Sequence, residues 1–213
     1  GVTGLAGSGR TLLAKCLFGA VENVSGKIFI NGSEVKITDP YTAISNGIAL
    51  IPEDRITYSI FSYLTVSDNI SVSALKRFTH AIKINTPILR HSVMEYIKKL
   101  NITQDPRENI LEYSSGNQQK AIFAKWIMSR AKIFILDEPT RGLDIASKID
   151  IYNFINDLVK KDVGVIFISS DIEEILGICD RVAVLSSRSL VCDVSTKDIT
   201  VEKIIELATS EDV

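Results

Sequence analysis

The stretch Ile133-Phe134-Ile135-Leu136-Asp137-Glu138-Pro139 is an unbroken apolar run closed by two carboxylates and a proline. Four apolar residues without polar alternation suit a strand buried on both faces, the pattern of a parallel sheet covered by helices. Val163-Gly164-Val165-Ile166-Phe167-Ile168 has the same character, and Ile48 to Ile51 and Val182 to Leu185 are shorter runs of the same kind. Helical spacing follows the two long runs, near residues 146–159 and again over 172–178. Strand and helix in alternation predict an α/β fold with a mainly parallel sheet. Two regions depart from that pattern. Lys27-Ile28-Phe29-Ile30 runs into Asn31-Gly32, the strongest short hairpin signal, so a small antiparallel edge is expected near residues 27–35. Residues 64–130 read as mostly helical, most clearly over 93–100 and 118–128, and are expected to form a helical subdomain inserted in the core. Residues 1–213 are read as one domain.

Working outward to the start of the chain, Gly4-Leu5-Ala6-Gly7-Ser8-Gly9-Arg10-Thr11 stands before a helical run that Gly19 stops. It follows the phosphate-loop pattern G-x-x-x-x-G-K-[ST] at Gly4, Gly9 and Thr11, with Arg10 in the place of lysine. Glycines there let backbone N–H groups turn towards phosphate oxygens, with Gly7 and Ser8 inside the same loop. The following helix adds the positive end of its dipole. A phosphate loop normally follows a buried strand, of which only Gly1 to Thr3 stand here, so the domain is expected to be incomplete at its N-terminus. In this setting Ile133 to Glu138 reads as a Walker B strand. The strand delivers Asp137 to its carboxyl edge, where a Mg²⁺ ion is expected, and Glu138 is placed to polarise an attacking water. Thr11 is the second expected Mg²⁺ ligand. Taken alone, either motif has a blander explanation, a glycine-rich turn or an acidic end to a strand.

Bulk properties exclude other classes. Net charge is −2, with 46% hydrophobic and 23% charged residues, so no basic excess points to nucleic acid. No apolar run approaches the roughly 18 residues of a membrane helix. The first residues carry no basic signal-peptide segment. Cys16, Cys179 and Cys192 are odd in number, far apart and without metal-ligand spacing, as suits a reducing cytosol. His80 and His91 fall in the helical region and are expected at the surface.

Ser114-Ser115-Gly116-Asn117-Gln118-Gln119 lies 23 residues before Asp137 and opens a helix. It resembles the L-S-G-G-Q signature of ATP-binding cassette (ABC) ATPases, in the L-S-G-G-N-Q-Q form found in sugar importers. Leu64-Thr65-Val66 with Asn69-Ile70 resembles the L-T-V-x-x-N segment of that family. Gly142-Leu143-Asp144 is similar to its D-loop, and Ile168-Ser169-Ser170-Asp171 to its switch strand. The motifs occur in family order over essentially the whole chain. Arg10 for lysine, Glu53 where the family carries the Q-loop glutamine, and Ser170 where it carries the switch histidine together resemble the C-terminal half of tandem ATPases serving ribose, galactose and related importers. Ser115 for the first signature glycine and Tyr113 for leucine are departures that this subgroup does not explain.

The resemblance implies a P-loop NTPase core that binds ATP and Mg²⁺ and works as an ATPase. Its nucleotide contacts would be Gly4, Gly7, Ser8, Gly9, Arg10, Thr11, Glu53 and Ser170, with Glu138 catalytic. It also implies that a second nucleotide-binding domain, the N-terminal half of the same polypeptide, closes face to face with this one. Ser114, Ser115, Gly116, Asn117, Gln118 and Asp144 would then serve the partner's nucleotide. A site lacking lysine, glutamine and histidine together is expected to hydrolyse weakly, or not at all in isolation, and to matter more through its signature. A permease, a solute-binding protein reached indirectly and a place at the cytoplasmic face of the membrane complete the expectation. Two other readings stay open: a soluble ABC protein acting without a permease, and a small-molecule kinase, which would lack the signature.

Overall fold

In the computed structural model, which describes residues 1–22, 24–103 and 105–210, the apolar runs form a six-stranded sheet. The order across it is Ser189–Ser195, Arg181–Ser186, Val2–Gly4, Gly164–Ile168, Ile133–Asp137 and Ile48–Ile51. Five strands run parallel and Ser189–Ser195 is antiparallel at one edge. Ala49, Ile51, Phe134, Ile135, Leu136, Phe167 and Ile168 are all buried, which is what the continuous apolar runs require. Each of the Ile, Leu and Phe side chains contributes roughly 1.5–3 kcal/mol by leaving water. Asp137 pairs with Ile168, and Ile51 with Leu136, so these strands end at a common carboxyl edge.

The chain divides into two compact units. The first comprises Gly1–Glu53, Ile133–Pro139 and Gly164–Val213, and contains the whole sheet. It also holds the hairpin Ile28–Ile30 with Ser33–Val35, whose turn residues Asn31 and Gly32 both have positive φ. That is the turn the Asn-Gly pair predicts. The Arg10–Leu17 helix ends at Gly19, where a side chain would strike the Asp39 backbone about 2.7 Å away. Asp39 in turn caps the Pro40–Ser45 helix, a pairing of N-cap and proline that favours helix entry.

The second unit comprises Asp54–Lys132 and Thr140–Val163. Its helices Val66–Ser71, Thr86–Lys99, Ser115–Met128 and Ile145–Val159 pack around Val93, Ile97, Phe123 and Phe154. The Phe123 and Phe154 rings meet edge to face at 5.0 Å. Asn69 ties the loop before its helix into place, accepting from the Phe61 N–H and donating to the Phe61 and Thr65 carbonyls. His80 and His91 are exposed. Among the described residues, no helix is long and apolar enough to cross a membrane.

Candidate functional site

In the first unit, residues 4–11 form a tight loop between the Val2–Gly4 strand and the Arg10–Leu17 helix. Gly4, Gly7 and Gly9 have φ of 152°, 83° and 95°. A side chain at Gly4 would collide with the Leu185 carbonyl, so both conformation and space demand glycine there. The helix begins without a side-chain cap, leaving its first N–H groups available to an anion.

Asp137 closes the Ile133–Asp137 strand and is only 2% exposed. Burial pushes its carboxyl above the usual range. A hydrogen bond with Thr11 and the charges of Arg10 and Lys15 pull the other way, while neighbouring Glu138 adds to the rise. Its Oδ1 has no hydrogen-bond partner, and neither do the buried hydroxyls of Ser8 and Thr3. Buried polar atoms are satisfied in all but a few cases, so orphans gathered around a phosphate loop point to a ligand. Thr11 and Asp137 fit Mg²⁺, which takes one or two protein oxygens and completes its shell with phosphates and water.

Glu138 adopts a left-handed φ of 50°, unusual for a non-glycine residue. Its own N–H donates to the Ile168 carbonyl at 2.9 Å, and its Oε1 accepts the Ser170 N–H at 2.7 Å. Arg10 Nη1 lies 3.3 Å from the same oxygen. The loop, the Walker B carboxylates and the switch position are therefore brought together. Ser170 reaches Glu138 through its backbone, while Ser169 Oγ donates to Glu174 Oε2. Glu53 is exposed, two residues beyond the Ile48–Ile51 strand.

In the second unit, Ser114 caps the Ser115–Met128 helix by accepting the Asn117 N–H. Ser115 has no positive φ, so its backbone conformation does not call for glycine, and its hydroxyl is 3.4 Å from the Gly142 carbonyl. At Gly116 an added Cβ would crowd the Ser147 side chain, whose hydroxyl would have to move. Asn117 Nδ2 lies 3.4 Å from Thr103 Oγ1. Gln118 is buried; its amide donates to the Ile110 and Tyr113 carbonyls and accepts from Arg55. Asp144 caps the Ile145–Val159 helix through the Ser147 N–H at 2.8 Å, which holds its carboxyl below the usual range. Tyr113 is buried with its hydroxyl donating to the Asp105 carbonyl, and burial raises its pKa to about 12. That bond gives the tyrosine, unexplained by sequence, a structural reason.

Three residues near these sites carried no readable sequence signal. Ser187 and Arg188 form a turn with φ of 47° and 67° that sets Arg188 against Gly9 of the phosphate loop. Lys125 is buried on the signature helix, donates to the Ser59 carbonyl at 2.7 Å, and has its pKa lowered to about 8 by burial.

A parallel α/β sheet with a glycine loop and paired carboxylates at its carboxyl edge defines a P-loop nucleoside-triphosphatase core. The ABC transporter family model matches residues 1–141. The chain is 44% identical over 210 residues to the ribose import ATP-binding protein of Clostridium tetani, covering 98% of this chain and 42% of that protein. It is 42% identical to the xylose import ATP-binding protein of Histophilus somni, covering 99% of this chain and 42% of that one. The chain thus spans about two fifths of the length of these curated relatives. An ATP-binding cassette of an ABC transporter in its ADP conformation superposes with a TM-score of 0.80 at 16% identity, over 99% of this chain and 87% of the other. A second cassette, dimeric and bound to ADP and phosphate, gives 0.77 at 16% identity over 92% and 84%. This chain belongs to the ABC transporter family.

Proposed function

We propose that this chain is the ATP-binding unit of an importer for a simple sugar, coupling ATP binding and hydrolysis to a membrane permease. The relatives named for ribose and xylose import support the sugar. The observation that carries the ATPase reading is the meeting of Arg10, Thr11, Asp137 and Glu138 around a buried Asp137 oxygen that lacks a partner.

In this reading the backbone N–H groups of residues 4–11 and the helix N-terminus bind the phosphates, and Arg10 adds a charge. Thr11 and Asp137 hold Mg²⁺, which when bound neutralises phosphate charge. Glu138 orients a water and accepts its proton as the water oxygen bonds to the γ-phosphorus. The bond to the bridging oxygen breaks and ADP leaves. Ser170 offers no ring nitrogen to this step, and Glu53 offers a repelling carboxylate where an amide would bind. A positioned acid–base group is worth about 10²–10⁴ in rate, so a site without one is the weaker of two.

The signature residues Ser114, Ser115, Gly116 and Asn117 serve a nucleotide held by a second nucleotide-binding domain, the N-terminal half of the same polypeptide. Gln118 supports them from behind, and Asp144 fixes the adjoining loop. The assembly works at the cytoplasmic face of the membrane and receives solute from a binding protein. The test is ATP-driven uptake of labelled ribose, xylose and galactose into vesicles holding the complete transporter. Uptake of at least one sugar, lost when this chain is omitted, is expected. Undiminished uptake without the chain, or no uptake of any of the three, overturns the reading.

A further inference from the structure

The pairing of Arg10 with Glu138 has a consequence for how the site opens to nucleotide. Arg10 and Glu138 side chains are 13% and 10% exposed, and their charged atoms lie 3.3 Å apart. Yet Arg10 Nη1 is buried without a hydrogen bond, so the contact is one of charge and not of aligned donor and acceptor. The Glu138 oxygen it faces is already occupied by the Ser170 N–H. The left-handed backbone of Glu138 is held by the Ile168 carbonyl, and the Ser170 N–H anchors the carboxylate itself. A guanidinium that has lost water and found only half of an interaction will leave it for an acceptor that matches its fork, and phosphate oxygens do.

We propose that Arg10 is a positioning residue that exchanges partners: it holds Glu138 in the nucleotide-free site, and a nucleotide phosphate competes with Glu138 for it. Phosphate binding then releases Glu138 to face water. The exchange rests on reading residues 4–11 as a phosphate loop. It makes Glu138 an internal competitor of the nucleotide, so removing its charge raises affinity only where Arg10 is present to be freed.

The test is a double-mutant cycle on the full chain, reading the affinity for the non-hydrolysable analogue AMP-PNP with Mg²⁺ by calorimetry, so that turnover plays no part. If the pair is closed most of the time, Glu138→Gln tightens binding about five- to ten-fold. In the Arg10→Gln background the same change alters affinity by less than about two-fold, because no pair remains to break. Arg10→Met, which keeps the apolar stem, replaces Arg10→Gln if that variant fails to fold, with the same expectation. Equal tightening in both backgrounds means that Glu138 simply repels phosphate, and it overturns the exchange while leaving the phosphate loop intact. No tightening in the wild-type background also overturns it. Absence of any AMP-PNP binding sinks the phosphate-loop reading, and the exchange with it.

Discussion

The phosphate loop of the first unit and the signature helix of the second handle their polar groups in opposite ways. Around the loop, Ser8, Thr3, Arg10 Nη1 and Asp137 Oδ1 are buried without hydrogen-bond partners, and Glu138 sits in a left-handed backbone. At the signature, Ser114, Gln118 and Asp144 all spend their side chains on named backbone groups of the same unit. The first region stores unmet polar demand, which an incoming ligand can satisfy. The start of the signature helix is held by groups of its own unit and offers a capped helix end of fixed shape. Unmet burial costs stability and is tolerated where function uses it; a helix start capped by its own unit keeps its geometry before any partner arrives.

Ser114→Arg gives the largest expected effect. In the complete transporter it should lower solute uptake about 100-fold, comparable to removing one transition-state donor. Arg10→Ala should weaken nucleotide binding and cost uptake less. If Arg10→Ala is the more damaging, the signature is not this chain's main service.

Gly116→Ala should destabilise the second unit by about 1–3 kcal/mol through overpacking against Ser147. Ser147→Ala, which removes the clashing hydroxyl, should restore part of the melting temperature. Loss of uptake without any loss of stability would move the reason for Gly116 from packing to the partner.

The two buried charges sharpen the contrast. Lys125 keeps a carbonyl partner, but its pKa is lowered to about 8 from 10.5. The unfolded chain therefore binds more protons than the folded one between about pH 8 and 10.5, so stability rises with pH across that window. Lys125→Met should abolish this rise, a difference of roughly 1–2 kcal/mol between pH 8 and 10 by thermal melting. Parallel pH profiles for the two proteins would show that Lys125 is not the source.

Asp137 is the smallest of these effects and has the opposite consequence. Its carboxyl is raised, so the folded state holds its proton more tightly, and the charged form costs stability as pH rises above the usual carboxylate range. Without nucleotide or Mg²⁺ at pH 7, Asp137→Asn should raise the melting temperature, because the amide leaves no charge buried there. The variant should also lose the stabilisation that Mg²⁺ with nucleotide gives the wild type. A destabilised Asp137→Asn would mean that the carboxylate is satisfied and the region is not strained by it.

Much of the fold was legible because its signals are local. The runs at 48–51, 133–136 and 165–168 are apolar at every position and too short for a buried helix, which leaves a strand covered on both faces. Asn31-Gly32 fixed its turn through backbone conformation alone. The Ser189–Ser195 strand was not read, since it is an edge with a bulge near Leu190 and mixed polarity. Its Ser187-Arg188 turn uses residues that seldom take positive φ. In the site, the loop glycines, Thr11, Asp137 and Glu138 were readable from motif spacing, because each motif is a continuous piece of backbone.

By itself the sequence determined the buried parallel strands and the helices that follow the two long runs, the glycine loop, the carboxylates at a strand end and the serine that opens the signature helix. Each depends on neighbours a few residues away, where spacing maps directly onto geometry. The tertiary structure alone decided that Arg10 faces Glu138, that Ser170 holds it by a backbone N–H, and that Ser147 crowds any side chain at Gly116. It alone gave Tyr113 a carbonyl partner and left an oxygen of Asp137 without one. These are contacts between groups brought together only when strands and helices pack. Their energetics turn on burial and on the hydrogen bonds made or missed there, quantities that no local pattern of residues encodes.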